Sequence, residues 1–465
     1  MLAAKNFMLG QRKSGRVEGD LSAFRAYDIR GIYGKTLTER IAERVGMAFS
    51  AFLQFAPLVV AHDVRLSSQS LKRALLRGLT AAGSDVIDLG LVPTPFAYLA
   101  TLKADVAGGV VVTASHNPPE WNGLKLFRKG GLLVAEGLGL EEVKELYLKG
   151  ISRGNKEGKV YDGKGLVSEV ESLLLHALNE SLVGEVAVDV GNGSCALYAE
   201  PLLREAGLKV TVLNGEPDGS FPSRGPEPKD DNLQPLARLV RERGHNFGVA
   251  YDGDGDRAVF VDDKGRILPG DITLALFAKH YLQRHRGGKV IADVACSMAV
   301  EDVVKKYGGE LLLSRVGHAY LLNAMVRERA LIGGEIAGHF YFSELNGIDD
   351  AIFATMKMAQ VVTGSPLSGL LEDIPRYPST PVITYDCPDE RKFLVVDRLA
   401  AKLESEGYTI VRLDGVKVID DEGWALVRAS NTLPQIKLRA EAKSEEGLRR
   451  LLGLVEEELK ALMLA

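Results

Sequence analysis

Cysteine is nearly absent: three residues in 465, Cys195, Cys296 and Cys387, lie far apart and in no metal-ligating spacing. That excludes a disulfide framework and a cysteine-ligated zinc site, and it suits a reducing compartment in which the thiols are packing residues. An excess of one charge is lacking too. Lys+Arg 57 against Asp+Glu 62 leaves −5, with the signs interspersed and no long basic run, so a grip on a nucleic-acid backbone is not indicated. No stretch approaches the ~20 uninterrupted apolar residues that span a bilayer, and the opening segment meets Lys5 and Asn6 before a signal-type apolar core can form. The expectation is a cytoplasmic protein with neither nucleic acid nor membrane as partner, and with residues 1–22 as a loosely held extension. A P-loop, G-x-x-x-x-G-K-[ST], occurs nowhere.

What is present is ordinary globular composition, 46% hydrophobic and 26% charged, in a chain long enough for two to four domains. Short β-branched runs alternate with amphipathic stretches. PLVVAHD (57–63), SLKRALLRGLTAAG (70–83), SDVIDLG (84–90) and AGGVVVTASH (107–116) read as strand, helix, strand, strand. The pattern restarts at EVAVDVGNG (185–193), with a helix expected over 196–207, and again at GKVIADVAC (288–296). Three restarts predict three similar α/β units with mixed or parallel sheets. After RYPSTPVITY (376–385) the pattern changes to two helical stretches, 397–407 and 444–463, with short strands between them: a fourth, α+β domain. The division expected is 23–154, 155–256, 257–374 and 375–465.

Five segments carry chemistry-bearing residues. In VVVTASHNPPEWNGLK (110–125) an apolar strand runs into Ser115, His116 and Asn117, with Lys125 beyond, where open α/β sheets place ligands. A nucleophile loop and a polar turn both fit, whereas the G-x-S-x-G elbow of serine hydrolases does not. In YDGDGDRAVFVDDKG (251–265), Asp252, Asp254 and Asp256 alternate with glycines at a strand end. Carboxylates this dense call for a hard cation such as Mg²⁺, and Arg257 stands where an EF-hand needs glycine. GNGSCA (191–196) fits a dinucleotide turn or a plain tight turn, which leaves an NAD-dependent dehydrogenase as a remote alternative. Glu335 and His339 in LIGGEIAGHFYF (331–342) suit a polyol's hydroxyls, or a turn. Arg428, Ser430, Asn431, Thr432 and Lys437 gather around a loop between two strands and suit a phosphate, or again a turn.

Taken together and in this order, TASHNP, DGDGDR, GExxGH and RASNT resemble the α-D-phosphohexomutase superfamily of phosphoglucomutases and phosphomannomutases, from Phe24 to about Ala442. FRAYDIRG (24–31), AHDVRLSS (61–68) and PDGSFP (217–222) belong to the same resemblance. It implies three related α/β domains and a C-terminal domain of another fold around one cleft. It also implies interconversion of hexose 1-phosphate and hexose 6-phosphate, of glucose, mannose or both, through a bisphosphorylated sugar. In that pattern Ser115 is the phosphoserine, and Asp252, Asp254 and Asp256 hold Mg²⁺ with a phosphate oxygen on Ser115. Arg30, His116, Lys125 and Arg257 flank the transferring group, with Lys125 and Arg30 managing the proton of the sugar hydroxyl. Tyr27, His318, Glu335 and His339 meet the sugar, and Arg428, Ser430, Asn431 and Thr432 clamp the non-reacting phosphate. A hexose 1,6-bisphosphate serves as activator. Ala337 replaces a serine common in bifunctional relatives and Ala295 a lysine, so a phosphoglucosamine mutase stays open, as does a sugar-phosphate-binding protein without turnover.

Overall fold

The apolar runs LVVAH and GGVVV become adjacent parallel strands, Leu58–His62 and Gly108–Val112, buried along their whole length. Strands without a polar face are what a sheet covered by helices on both sides requires. The protein is described from a computed structural model over residues 21–430 and 434–464. The expected extension lies outside the described residues but for Leu21 and Ser22.

Four sheets succeed one another. The first has the order Ile29–Ile32, Trp121–Arg128, Gly108–Val112, Leu58–His62, Val86–Leu91, Val160–Asp162. The second runs Ala258–Asp262, Phe247–Tyr251, Glu185–Asp189, Lys209–Leu213, and the third Glu310–Ser314, Lys289–Asp293, Ile332–Gly334, Phe340–Phe342. Each has a parallel centre and one antiparallel hairpin: Gly108–Val112 with Trp121–Arg128, Phe247–Tyr251 with Ala258–Asp262, and Ile332–Gly334 with Phe340–Phe342. The fourth sheet is antiparallel throughout, and helices Asp389–Ser405 and Glu445–Leu464 share its core. The architecture is therefore three similar α/β domains followed by an α+β domain.

Two expected boundaries are corrected. Val160–Asp162 pairs with Val86–Leu91, so the first sheet continues past residue 154, and Ala258–Asp262 pairs with Phe247–Tyr251, so the second continues past 256. Edge and hairpin strands leave no shift in composition, which is why the sequence does not announce them. The helix expected over 196–207 is a 3₁₀ turn, Ser194–Leu197, followed by a short helix, Ala199–Glu205.

One apolar core runs through the first three domains, whereas the fourth has its own. A small cluster of Val294, Ala295, Trp424 and Leu426 joins the fourth to the third. Polar links reinforce that joint. Glu441 accepts from Ser297 Oγ (3.1 Å) and Met298 N (2.6 Å) at a helix start, and Arg439 pairs with Asp271 at 3.1 Å.

Candidate active site

Three of the four motif loops are the turns of hairpins. Residues 113–120, 252–257 and 335–339 lie where a central strand reverses into its antiparallel neighbour, and 430–434 lies between Gly423–Ala429 and Gln435–Ala442. Three similar folds thus deliver one loop each to a common cavity of about 750 Å³, and the fourth domain closes it with Leu426, Arg428, Lys437 and Arg439.

Ser115 is buried and has φ +50°, a left-handed conformation that costs a non-glycine residue on the order of 1–3 kcal/mol. The loop is held in that shape by Arg65, whose buried guanidinium donates to the carbonyls of Ser115 (2.8 Å), Asn117 (2.6 Å), Pro118 (2.6 Å) and Trp121 (3.0 Å) while Asp63 balances its charge at 3.0 Å. Thr113 Oγ1 accepts from Ser115 N at 2.9 Å. Ser115 Oγ in turn donates to Asp252 Oδ2 at 2.8 Å and lies 3.1 Å from His116 Nδ1. Burial, then Arg257 and Arg30, push the His116 imidazolium well down, which leaves a neutral ring beside the hydroxyl.

Asp252, Asp254 and Asp256 are all buried, each offering an oxygen within 4.8 Å of the others. Gly253 and Gly255 allow this. A Cβ on Gly253 would stand 2.7 Å from Ser115 O, and one on Gly255, whose φ is +78°, 2.3 Å from Cys195 Sγ. Lys125 donates to Asp254 Oδ2 (2.8 Å) and Asp256 Oδ2 (2.6 Å). One lysine does not balance three carboxylates: burial and the neighbouring Asp256 and Asp254 raise Asp252 well above the usual range. Asp254 behaves oppositely, because Lys125 and the Thr94 hydroxyl overcome its burial and lower it. Among the described residues, Asp254 Oδ1 and Asp256 Oδ1 are buried without a hydrogen-bond partner. Orphaned carboxylate oxygens in an all-oxygen set fit a hard divalent cation.

Lys125, expected with Arg30 to manage the proton of the sugar hydroxyl, is paired here with the carboxylates of the candidate cation site. Asp254 and Asp256 override its burial and hold its charge firmly, and both contacts use its hydrogens. Arg30 is likewise committed, to Asp28 and to Asn117 Oδ1 (2.8 Å), and a guanidinium does not give up its proton. His339 is better equipped. Its Nδ1 lies 2.7 Å from Asp349 Oδ2, and its Nε2 accepts from Arg257 Nε at 2.9 Å. Burial opposes its charging, yet Asp256 and Asp349 raise its proton affinity to about 9. These two tendencies conflict, and the contact with Arg257 decides: while that N–H points at Nε2, the nitrogen carries no proton.

Of the remaining expected residues, Tyr27, His318, Glu335, Arg428 and Lys437 line the cleft from several domains, whereas Ser430 is not among its lining residues. Tyr27 donates to Val316 O at 3.1 Å, and His318 Nε2 lies 2.8 Å from Asp349 Oδ1. Glu335 accepts from Gly317 N at 2.8 Å and Tyr341 OH at 2.9 Å. Arg428 lies 3.8 Å from Asp414, and Lys437, opposite it on the next strand, is lowered by burial and by Arg428 and Arg257. Ser430 is buried, its carbonyl accepting from Lys392 at 2.5 Å; Asn431 and Thr432 lie outside the described residues. GNGSCA braces the acidic loop instead of cradling a dinucleotide, for Ser194 N and Oγ both donate to Gly253 O (3.0 and 3.1 Å). Sequence reasoning gives no role to Arg65, Thr94 or Asp349, nor to Asp293, which accepts from Ala295 N (2.7 Å) and Ile336 N (3.1 Å) and is raised to about 6 by burial and Glu335. Only AHDVRLSS carries a signal for any of these.

Comparison with known proteins gives the following. Four descriptions of the phosphoglucomutase/phosphomannomutase family match in order: alpha/beta/alpha domain I over 21–150, domain II over 167–265, domain III over 269–377 and the C-terminal domain over 383–458. The chain is 36% identical over 459 residues to a phosphoglucomutase/phosphomannomutase of Thermococcus kodakarensis, covering 94% of this chain and 99% of that one. It is 38% identical over 437 residues to a probable phosphoglucosamine mutase of Methanopyrus kandleri, covering 91% and 94%. Among solved structures, a phosphoglucomutase/phosphomannomutase family protein of Burkholderia thailandensis superimposes with a TM-score of 0.86 at 32% identity, over 95% and 97% of the two chains.

Proposed function

The chain belongs to the phosphoglucomutase/phosphomannomutase family of α-D-phosphohexomutases, and from that membership we propose how its residues move a phosphoryl group between O1 and O6 of a hexose, glucose, mannose or both. It is an isomerase acting as an intramolecular phosphotransferase. The observation that carries the residue assignment is Ser115: a strained, buried hydroxyl 2.8 Å from Asp252, at the mouth of three carboxylates.

In this reading Ser115 holds the phosphoryl group as a serine ester. The sugar hydroxyl attacks phosphorus, the Ser115 Oγ–P bond breaks, and a bisphosphorylated sugar forms. The bisphosphate turns over in the cleft and returns its other phosphoryl group to Ser115. Asp252, Asp254 and Asp256 are the residues that would hold Mg²⁺, which when bound supplies positive charge to the transferring phosphoryl oxygens. Arg257 and Lys125 add fixed positive charge beside it, and neutral His116 donates or accepts at Ser115. His339 Nε2, backed by Asp349, takes the proton of the attacking hydroxyl once Arg257 Nε turns from it to the phosphoryl oxygens. Glu335, His318 and Tyr27 meet the sugar, and Arg428 with Ser430, Asn431 and Thr432 holds the distal phosphate.

Parallel incubation with glucose 1-phosphate, mannose 1-phosphate and glucosamine 1-phosphate, each with Mg²⁺ and a trace of the matching 1,6-bisphosphate, tests this. The expected result is 6-phosphate product from glucose, mannose or both; binding without product from any of them would refute it. Similarity to a probable phosphoglucosamine mutase keeps a second reading, in which the amino sugar turns over fastest, behind the first.

A further inference from the structure

Asp349 is fully buried, and its two carboxylate oxygens are divided between two imidazoles: Oδ2 lies 2.7 Å from His339 Nδ1, and Oδ1 lies 2.8 Å from His318 Nε2. The rings are stacked, with centroids 5.0 Å apart and planes 9° from parallel, and Tyr341 packs against both. An ionised carboxylate only accepts, so each ring nitrogen facing it carries its proton there. The opposite nitrogen of His339, Nε2, accepts from Arg257 Nε at 2.9 Å, and both rings line the cleft.

The internal repeat shows that the fold does not need this carboxylate. In each α/β domain the antiparallel strand has a residue that pairs with a glycine of the central strand and then forms an isolated bridge to a residue shortly after it. These are Phe127 with Gly109 and Leu133, Val261 with Gly248 and Ile267, and Tyr341 with Gly333 and Asp349. The same position is apolar in two domains and a buried aspartate in the third, the one that brings two histidines to the cleft.

We propose that Asp349 is a positioning residue that fixes the tautomer and pitch of His339 and His318 together, so that one carboxylate presents two imidazole edges to the sugar phosphate. Asparagine cannot replace it, because its single carbonyl oxygen accepts from one ring and its amide donates to the other. At least one imidazole is then turned to the wrong tautomer.

The test labels the ring nitrogens of the 8 histidines with ¹⁵N in the full-length protein and assigns His339 and His318 by the signals lost in His339→Gln and His318→Gln. Native protein is expected to show His339 Nδ1 and His318 Nε2 protonated, whatever the state of the other nitrogens. In Asp349→Leu, which copies Leu133 of the first domain and is therefore expected to fold, at least one of these signatures should vanish. Its kcat, and that of Asp349→Asn, should fall roughly 10²-fold or more, with KM changed far less. An unprotonated His339 Nδ1 in native protein, as metal ligation by these three side chains would give, would overturn the proposal. So would unchanged tautomers or an unchanged kcat in both variants. The kinetic arm rests on the phosphohexomutase reading and the spectroscopic arm does not: native protein inactive on every sugar phosphate but with both signatures intact would sink that reading and leave the tautomer lock standing.

Discussion

At the scale of single residues the chemistry turns on charge placed where water cannot reach. Arg65 commits its donors to four carbonyls and Asp63. Arg65→Ala should therefore cost about 3–5 kcal/mol of stability, read from denaturant unfolding, because it leaves a buried Asp63 and several carbonyls unpaired. A loss near zero would show that the Ser115 loop holds its shape without the arginine. In the acidic loop, Asp254→Asn removes a carboxylate that pairs with Lys125 and that would hold the proposed cation. Titration calorimetry should find Mg²⁺ affinity reduced at least tenfold, as for loss of other charged ligands and their orienting groups, while thermal unfolding without metal moves little. Undiminished affinity would put the cation elsewhere.

At the scale of elements, helix Ala351–Val361 starts from Asp350, whose Oδ1 accepts from Phe353 N at 2.7 Å while Oδ2 is buried without a hydrogen-bond partner among the described residues. Burial, with Asp349 beside it, raises this carboxyl to about 7, against roughly 3.9 in an unfolded chain. A raised carboxyl destabilises the folded state as pH climbs from about 4 to 7, since the unfolded chain ionises first; below that window the penalty is absent, above it complete. Asp350→Asn keeps the cap and removes the charge, so its melting temperature should exceed the native value at pH 8 and match it at pH 4. An equal difference at both pH values would mean that ionisation of Asp350 is not penalised. Elements also differ in how far the sequence makes them legible. Central strands such as Leu58–His62 and Lys289–Asp293 announce themselves as unbroken apolar runs, and the loops after Gly108–Val112 and Phe247–Tyr251 stand out because polar residues crowd a strand end. The antiparallel partners Trp121–Arg128 and Phe340–Phe342 do not separate as strands in the sequence, and although the segment after the acidic turn reads as a strand, nothing in its composition marks that Ala258–Asp262 pairs back with Phe247–Tyr251. Asp349 is illegible for another reason: its role depends on two histidines 31 and 10 residues away that only the folded third domain brings together.

At the scale of the whole molecule, one cleft is assembled from a loop on each of three related domains and from strand residues of a fourth of different build, joined by a small apolar cluster and a few buried polar links. That modest joint makes the fourth domain the part free to shift when the bisphosphate turns. In the proposed mechanism a phosphate is held there in both half-reactions, so Arg428→Ala should slow the forward and reverse reactions by similar factors and leave phosphorylation at Ser115 intact. Impairment of one direction beyond what the equilibrium constant allows would break the single-clamp assignment. The central claim is that Ser115 carries the phosphoryl group, and mass spectrometry after brief exposure to glucose 1,6-bisphosphate and Mg²⁺ tests it most directly. The expected result is one added phosphate of about 80 Da per active chain, on the peptide containing Ser115 and removed by excess hexose monophosphate. Full turnover with Ser115 unmodified, or phosphate on any other residue in its place, would contradict it.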